Sequence, residues 1–260
     1  MRAPPERGLL IEERRRRICD LVRSEGRVTV DELAKRFAIS HVTIRADLAT
    51  LESAGALTRT HGGALSVQND QPLDVKELQH HAEKLRIAQA AAELIRDGET
   101  IILDSGTTTA EIARHIRALE LKSINVITNA LNIAALLIDV PSVRLIMPGG
   151  ILRRESNSLS GPMAELALQT LQADRLYLGA DGVDTKVGVM TPHLAEAQLN
   201  AKMIAIARQV VVVADSSKLM RRNVSLIARV EQINLLITDR GASLEAVEEM
   251  RARGVEVRLV

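Results

Sequence analysis

The chain has 260 residues, 46% of them hydrophobic and 26% charged, with a formal net charge of +1; this is the make-up of a folded globular protein, long enough for a small domain plus a medium one. Phe37 and Tyr177 are its only aromatic residues and Cys19 its only cysteine, which excludes base stacking on aromatic platforms, a disulfide framework and a cysteine-rich metal site. No apolar run has the length of a membrane span or the form of a signal peptide, so a cytoplasmic protein with no membrane partner, no metal and no cofactor is expected.

The charge is uneven. Residues 1–66 carry 12 Lys+Arg against 9 Asp+Glu, whereas residues 67–260 carry 22 against 24, so the basic character sits in the N-terminal piece. Residues 11–24 read as a helix with Ile18, Leu21 and Val22 as its apolar stripe. That helix bears the run Arg14 to Arg17, of which Arg14 is a candidate DNA contact. Gly26 ends it, and residues 28–30 are short and β-branched. Residues 31–37 suit a second helix with Leu33, Ala34 and Phe37 inward. Ala38 and Ile39 make a tight turn, and Ser40 is a good N-cap for a third helix over residues 41–53. On it Val42, Leu48 and Leu51 are expected to pack, with Ile44 extending that face. Ser40, His41, Thr43 and Arg45 are left to face outward. A short turn between helices, with polar and basic groups opening the second, is how a recognition helix enters a major groove. Residues 58–64 then give two extended arms with Arg59 and His61, the form of a wing beside that groove.

Three stretches make this pattern specific: Gly26-Arg-Val-Thr-Val-Asp-Glu-Leu33, Ile39-Ser-His-Val-Thr-Ile-Arg-Ala-Asp-Leu48 and Arg59-Thr-His-Gly-Gly-Ala64. They resemble the winged helix-turn-helix of the DeoR family of bacterial transcription regulators, over nearly all of residues 11–65. The resemblance implies that Ser40, Thr43 and Arg45 approach double-stranded operator DNA, with Arg59 and His61 supporting from the wing. Ala46 departs from it, standing where the family often has a basic residue.

Residues 66–74 are polar with one Pro and no periodicity, a linker signal. The expected organisation is a DNA-binding domain over residues 1–65, a linker over 66–84 and an α/β domain over 85–260. A helix resumes near residues 75–80 and runs on over 83–96. Beyond Gly98 the chain alternates. Strands are expected at residues 100–103, 125–127, 143–147, 175–178, 210–214, 235–237 and 255–260. Helices are expected at 108–118, 130–138, 164–171, 196–207 and 244–253. This alternation predicts an α/β fold with a mostly parallel sheet covered on both faces.

Polar turns follow the strands: Asp104-Ser105-Gly106-Thr107, Thr128-Asn129, Gly149-Gly150, Gly179 to Gly182, Asp215 to Lys218 and Thr238-Asp239. In open α/β sheets the ligand sits outside the carboxyl ends of the strands, so these turns share one candidate site. Gly106 lets the backbone turn closely, Thr107, Thr108 and Thr109 add hydroxyls, and the amides opening the next helix face an anion. Lys218 adds a point charge. The stretch has neither the Lys of a P-loop nor the glycines of a dinucleotide fingerprint, which favours a phosphate ester over a nucleotide.

Asp104 to Thr109, Thr128-Asn129, Gly149-Gly150, Gly161-Pro162, Asp215 to Lys218 and Thr238-Asp239 also resemble the DeoR-family sensor domain, along essentially all of residues 85–260. That domain is similar to ribose-5-phosphate isomerase and glucosamine-6-phosphate deaminase. The resemblance implies that Asp181, Glu196 and Lys202 meet sugar hydroxyls; Leu219 departs from it where Phe is frequent. The expectation is a homo-oligomeric transcription regulator, a repressor of a carbohydrate operon released by a phosphorylated sugar. An amino-sugar phosphate comes first, because residues 101–109, 149–155 and 196–200 look most like the branch governing N-acetylgalactosamine and related amino sugars. Hexitol or other hexose phosphates come next. The alternatives are an activator, or an isomerase- or deaminase-like enzyme working through Asp181, Glu196 and Lys202. A winged helix has no use in such an enzyme, whereas a regulator uses both halves.

Overall fold

The computed structural model describes residues 10–25, 27–53, 56–60, 62–66 and 73–260. The chain divides into two compact units, Met1–Asp70 and Gln71–Val260.

In the first unit α1 (Ile11–Glu25), α2 (Val30–Phe37) and α3 (His41–Ser53) accompany a sheet of β1 (Arg27–Thr29), β2 (Leu57–Thr60) and β3 (Gly63–Ser66), in the order β1-β3-β2. Thr29 starts α2 through a capping box: its hydroxyl accepts the Glu32 N–H, and the Glu32 carboxylate accepts the Thr29 N–H. This satisfies two amides that the helix leaves open. Ser40 starts α3, its hydroxyl accepting the Thr43 N–H at 3.1 Å. Ile18, Val22, Leu33, Phe37, Ile44, Leu48 and Leu57 fill the core.

Two expectations about this unit are corrected. Val42 does not pack but is 73% exposed. Ile44, Leu48 and Leu51 recur at i, i+4 and i+7 and define the buried stripe, and Val42, two residues before Ile44, lies about 200° away around the helix. Arg14 does not project outward either. Its Nε sits 2.7 Å from Asp47 Oδ2, and its side chain is 11% exposed. Arg15 Nε takes the other oxygen at 3.0 Å. The buried Asp47 of α3 thus gathers two arginines of α1 and ties the helices together, because an ionised carboxylate is held out of water only where it is paired and hydrogen-bonded.

The second unit opens with α4 (Leu73–Leu78) and α5 (His81–Ala92), so residues 73–84, expected within the linker, are largely helical. Then follow β4 (Thr100–Leu103), α6 (Thr107–Ile116), β5 (Ile124–Thr128), α7 (Leu131–Leu137), β6 (Val143–Ile146), β7 (Ile151–Arg153), β8 (Ser158–Ser160), α8 (Pro162–Leu168), β9 (Ala173–Leu178), β10 (Gly182–Asp184), β11 (Gly188–Thr191), α9 (Leu194–Ile206), β12 (Ala207–Val213), β13 (Ser225–Arg229), β14 (Leu235–Thr238), α10 (Leu244–Ala252) and β15 (Glu256–Leu259). The main sheet is parallel throughout, in the order β15-β14-β12-β9-β4-β5-β6. Its seven strands are the seven expected. The hairpin β7-β8 and the small antiparallel sheet β10-β11-β13 were not expected; their strands are three to five residues long, too short for an alternating pattern to emerge.

Alternate residues of each central strand point to opposite faces. Ile101, Leu103, Val211 and Val213 pack with α5, α6 and α7, while Ile102, Val210 and Val212 pack with α8, α9 and α10. Tyr177 is fully buried and donates its hydroxyl to the Ala91 carbonyl at 3.0 Å.

Asp47→Ala leaves Arg14 and Arg15 without their shared acceptor. It is expected to destabilise the first unit by about 1–3 kcal/mol. Thermal unfolding followed on a fragment-resolved probe, such as hydrogen exchange of α1 and α3, should show both helices opening earlier. Unchanged exchange there would contradict the role given to Asp47.

Candidate functional site

The strand order reverses between β4 and β9. From β4 the chain winds outward through β5 and β6, returns to β9 on the other side of β4, and winds the opposite way through β12, β14 and β15. The loops leaving β4 and β9 therefore part to opposite faces and leave a crevice at their carboxyl ends. Into it project Asp104, Ser105 and Gly106 from the end of β4, and Gly179, Ala180 and Asp181 from the end of β9. The two loops are close: a Cβ on Gly179 would stand 3.4 Å from the Ser105 carbonyl oxygen and 3.7 Å from Asp104 Oδ2.

Gly106 is the N-cap of α6, and no side chain caps that helix. Thr109 turns its hydroxyl back to the Gly106 carbonyl at 3.0 Å. The amides of the first turn are thus left for an acceptor from outside, an arrangement that favours an anion. Lys218 approaches from the turn after β12, where Asp215 caps a short 3-10 turn over Ser216–Lys218 and Asp239, after β14, accepts the Ser216 N–H at 2.6 Å. Two further lysines join it. Lys84 of α5 is only 4% exposed, and burial, opposed by the Asp215 charge, lowers its pKa to about 8. Lys76 of α4 lies 3.0 Å from Asp181 Oδ1. Burial pushes the Lys218 ammonium below its usual range, with Asp215 and Asp181 opposing the shift.

Opposite these cations stand carboxylates in different states. Asp104 is 1% exposed; burial raises it to about 7 although the Ser105 and Gly179 amides and Asn200 favour its charged form. Glu196, in the first turn of α9, is raised to about 8 by burial and by the charges of Asp104 and Asp181. It is held by Arg153 at 3.2 Å, and Arg153 also bonds His193. Asp181 is half-buried, yet the Lys76 ammonium and hydrogen bonds from Lys76 and Thr191 outweigh that desolvation and keep it below the usual carboxylate range. Asn200, one turn after Glu196 and on the same face of α9, is fully buried; its amide lies close enough to Asp104 to favour that carboxylate's charged form, but neither amide atom makes a well-formed hydrogen bond. A buried amide so loosely partnered is a costly arrangement outside a binding site.

Not every expected residue belongs to this crevice. Thr128 accepts the Ala130 N–H within its own turn, and Asn129 donates to the Leu159 carbonyl at 3.1 Å, so Asn129 docks the β7-β8 hairpin. Only Asn129 Oδ1 stays unpartnered. Gly150, at φ 119°, is required by packing: a Cβ there would stand 2.6 Å from the Ser160 carbonyl oxygen. Gly149, at φ 76°, shares that turn. Lys202 is exposed on α9, six residues from Glu196; that spacing places it on a different face, and the structure does not bring it to the site. The sequence reading missed Lys76, Lys84, Arg153, His193 and Asn200. Lys84 carried a legible signal, an ammonium among the apolar positions of an Ala-rich helix; the others carried none. Among the described residues no group of His, Cys, Asp and Glu is arranged to hold a metal ion, and no helix is long and apolar enough to cross a membrane.

In the first unit Arg45 is exposed, and His41 is 3.1 Å from Asp31 at an exposed position. The Ser40 and Thr43 hydroxyls bond each other at 2.9 Å. Arg59 on β2 is tied to Glu52, its N–H donating at 2.9 Å. His61 lies outside the described residues.

The family described as DeoR-like helix-turn-helix domain matches residues 14–70, and that described as DeoR C terminal sensor domain matches residues 79–240. A relative in Escherichia coli O157:H7, described as an aga operon transcriptional repressor, is 42% identical over 95% of this chain and 93% of its own length. The transcriptional repressor GlcR of Bacillus subtilis is 32% identical over 95% of each. A solved ribose 5-phosphate isomerase from Methanocaldococcus jannaschii superposes with a TM-score of 0.41 at 23% identity, covering 54% of this chain and 55% of that one.

Burial and the neighbouring carboxylates raise Glu196 in the folded chain, so its charged form weakens the fold. The stability it allows is present at low pH and is lost as pH rises from about 4.5 to about 8. Glu196→Gln is therefore expected to melt at a temperature that falls less between pH 5 and pH 8 than that of the wild type. Parallel melting curves across that window would show that the carboxyl is not buried as described.

Proposed function

We propose that this chain, which belongs to the DeoR family of transcription regulators, represses a carbohydrate-use operon and leaves its operator when a phosphorylated sugar fills the crevice between β4 and β9. The chain is a regulator and not an enzyme: both family matches are to parts of transcription regulators. Repression, the sugar and the release step are our reading, supported by the crevice and by the names of the two relatives.

The observation that carries it is the mixture of cations and carboxyl groups in the crevice. Lys76, Lys84 and Lys218 lie close enough to feel one another's charge, a setting for a phosphate. Beside them stand Asp104, Asp181, Glu196 and Asn200, acceptors and donors at buried or half-buried positions, where hydroxyls or an amine would pair. A phosphorylated polyol offers both kinds of group. An amino-sugar phosphate fits best, because an ammonium would relieve the mutual repulsion of three carboxyl groups.

On the DNA side, α3 offers Arg45 outward with His41 and Thr43 beside it, and Val42 adds an apolar tip suited to a thymine methyl group. Ser40 serves first as the cap of that helix, and Arg59 stands on the wing. A single winged helix makes few contacts, so a homo-oligomer pairing two half-sites is expected, in the cytoplasm where operator DNA lies.

Fluorescence anisotropy on DNA from upstream of the operon, at fixed salt, tests this reading with galactosamine 6-phosphate, glucosamine 6-phosphate and hexose 6-phosphates. The wild type should lose about 5- to 150-fold in DNA affinity with one of them. Arg45→Ala should weaken DNA binding by about tenfold or more while sugar-phosphate binding persists. Lys218→Ala should bind DNA normally and no longer respond. DNA binding indifferent to Arg45, or a response indifferent to Lys218, would contradict the assigned faces.

A further inference from the structure

We propose that Lys76 clasps the short helix α4 to the effector site, and that a ligand entering the site releases α4, which carries the signal toward the DNA-binding unit. The inference rests on the reading of the crevice as an effector site.

Helix α4 has six residues, far short of the length at which a helix holds in water by itself. Burial does not hold it either: none of its described side chains is buried, and Val75 and Leu78 are exposed, Leu78 to 84%. What fixes it is polar. The Lys76 ammonium pairs with Asp181 at 3.0 Å. The Lys76 carbonyl accepts a hydrogen bond from the Lys84 ammonium. Glu77 pairs with Arg114 at 2.8 Å, and the Leu73 N–H donates to the Glu155 carbonyl at 3.1 Å.

Each partner belongs to the crevice or its walls. Asp181 ends the loop after β9. Lys84 is the buried lysine of the crevice. Arg114 is in the last turn of α6, the helix whose first turn holds the open amides. Glu155 is in the turn of the hairpin whose Arg153 holds Glu196. A sugar phosphate competes for these same groups: its phosphate draws the ammoniums of Lys76 and Lys84, and its hydroxyls or amine take up Asp181. A six-residue helix held by polar contacts and without a buried side chain among those described belongs to the low-stability end of a fold, from which mobile elements are drawn. In sequence, α4 is the first described element after residues 67–72, which lead from the DNA-binding unit. Where α4 is docked therefore fixes where that connection begins.

The test uses the full chain as wild type, Lys76→Met and Lys76→Arg. Without ligand, hydrogen exchange at residues 73–78 should be about tenfold faster in Lys76→Met, the effect of losing one charge-assisted hydrogen bond. It should be near the wild-type rate in Lys76→Arg. Equal exchange in the Met variant and the wild type overturns the clasp, whatever the effector. Should Lys76→Met fail to fold, Glu77→Gln, a change at a second and more exposed contact, must speed the same amides, and no change overturns the proposal. Galactosamine 6-phosphate is then added to the wild type. The same amides should speed up while residues 104–109 become protected, and Lys76→Met should bind operator DNA equally with and without the compound. Slower or unchanged exchange in α4, in a protein whose melting temperature the compound raises, overturns the release. A compound that changes neither melting temperature nor DNA binding of the wild type counts against the sugar-phosphate reading, and the ligand-free comparison alone then decides the clasp.

Discussion

The reversal of winding between β4 and β9 is the constraint on which the larger unit depends. Right-handed crossovers in a parallel sheet place their helices on one face when the chain winds one way and on the other face when it winds back. Strands β4, β5 and β6 accordingly bury one row of side chains against α6 and α7, while the strands on the other side of β4 lie under α9 and α10. At the seam the two adjacent loops must diverge, and no crossover covers the gap. Chain topology, more than any single residue, thus creates the concavity. The residues then decide what it holds.

Their charges are poised by burial. In water, the lysines and carboxyls around this crevice would all be ionised. Removed from water, Asp104 and Glu196 are pushed toward their neutral forms, to about 7 and about 8, and Lys84 is pushed toward its own neutral form. Asp181 is held in its charged form, because Lys76 reaches it from α4. The arrangement holds charges and hydrogen-bonding groups that its internal pairs only partly satisfy, and the buried amide of Asn200, which makes no well-formed hydrogen bond, is the plainest sign of it. A ligand offering both anionic and hydroxyl groups would complete these pairings, and the free energy gained is what can shift a second equilibrium elsewhere in the chain.

Much of this was legible in the sequence, for particular reasons. The strands of the main sheet were visible because parallel strands covered on both faces read as continuous apolar runs, such as Ile101-Ile102-Leu103 and Val210 to Val213. The turns after β4, β9 and β12 were visible because each begins with Gly or Asp directly after such a run. Asn129 and Gly150 looked the same in sequence yet serve the hairpin β7-β8, and Thr128 caps its own turn, since a polar turn does not reveal whether its partner is a ligand or another loop. Lys202 was misplaced because only helical phase separates it from Glu196. Lys76 was missed because it lies in a stretch with linker composition, and its partner Asp181 is 105 residues away. Val42 was assigned to the core for its apolarity, against the phase set by Ile44, Leu48 and Leu51.

A crystal structure of the chain grown with galactosamine 6-phosphate is the most direct measurement of the central claim. The account predicts the phosphate against the amides that open α6, within reach of Lys84 and Lys218, with the sugar ring toward Asp104, Glu196 and Asn200. A sugar phosphate seated away from the ends of β4 and β9, or a crevice left empty while the compound still releases DNA, would contradict it.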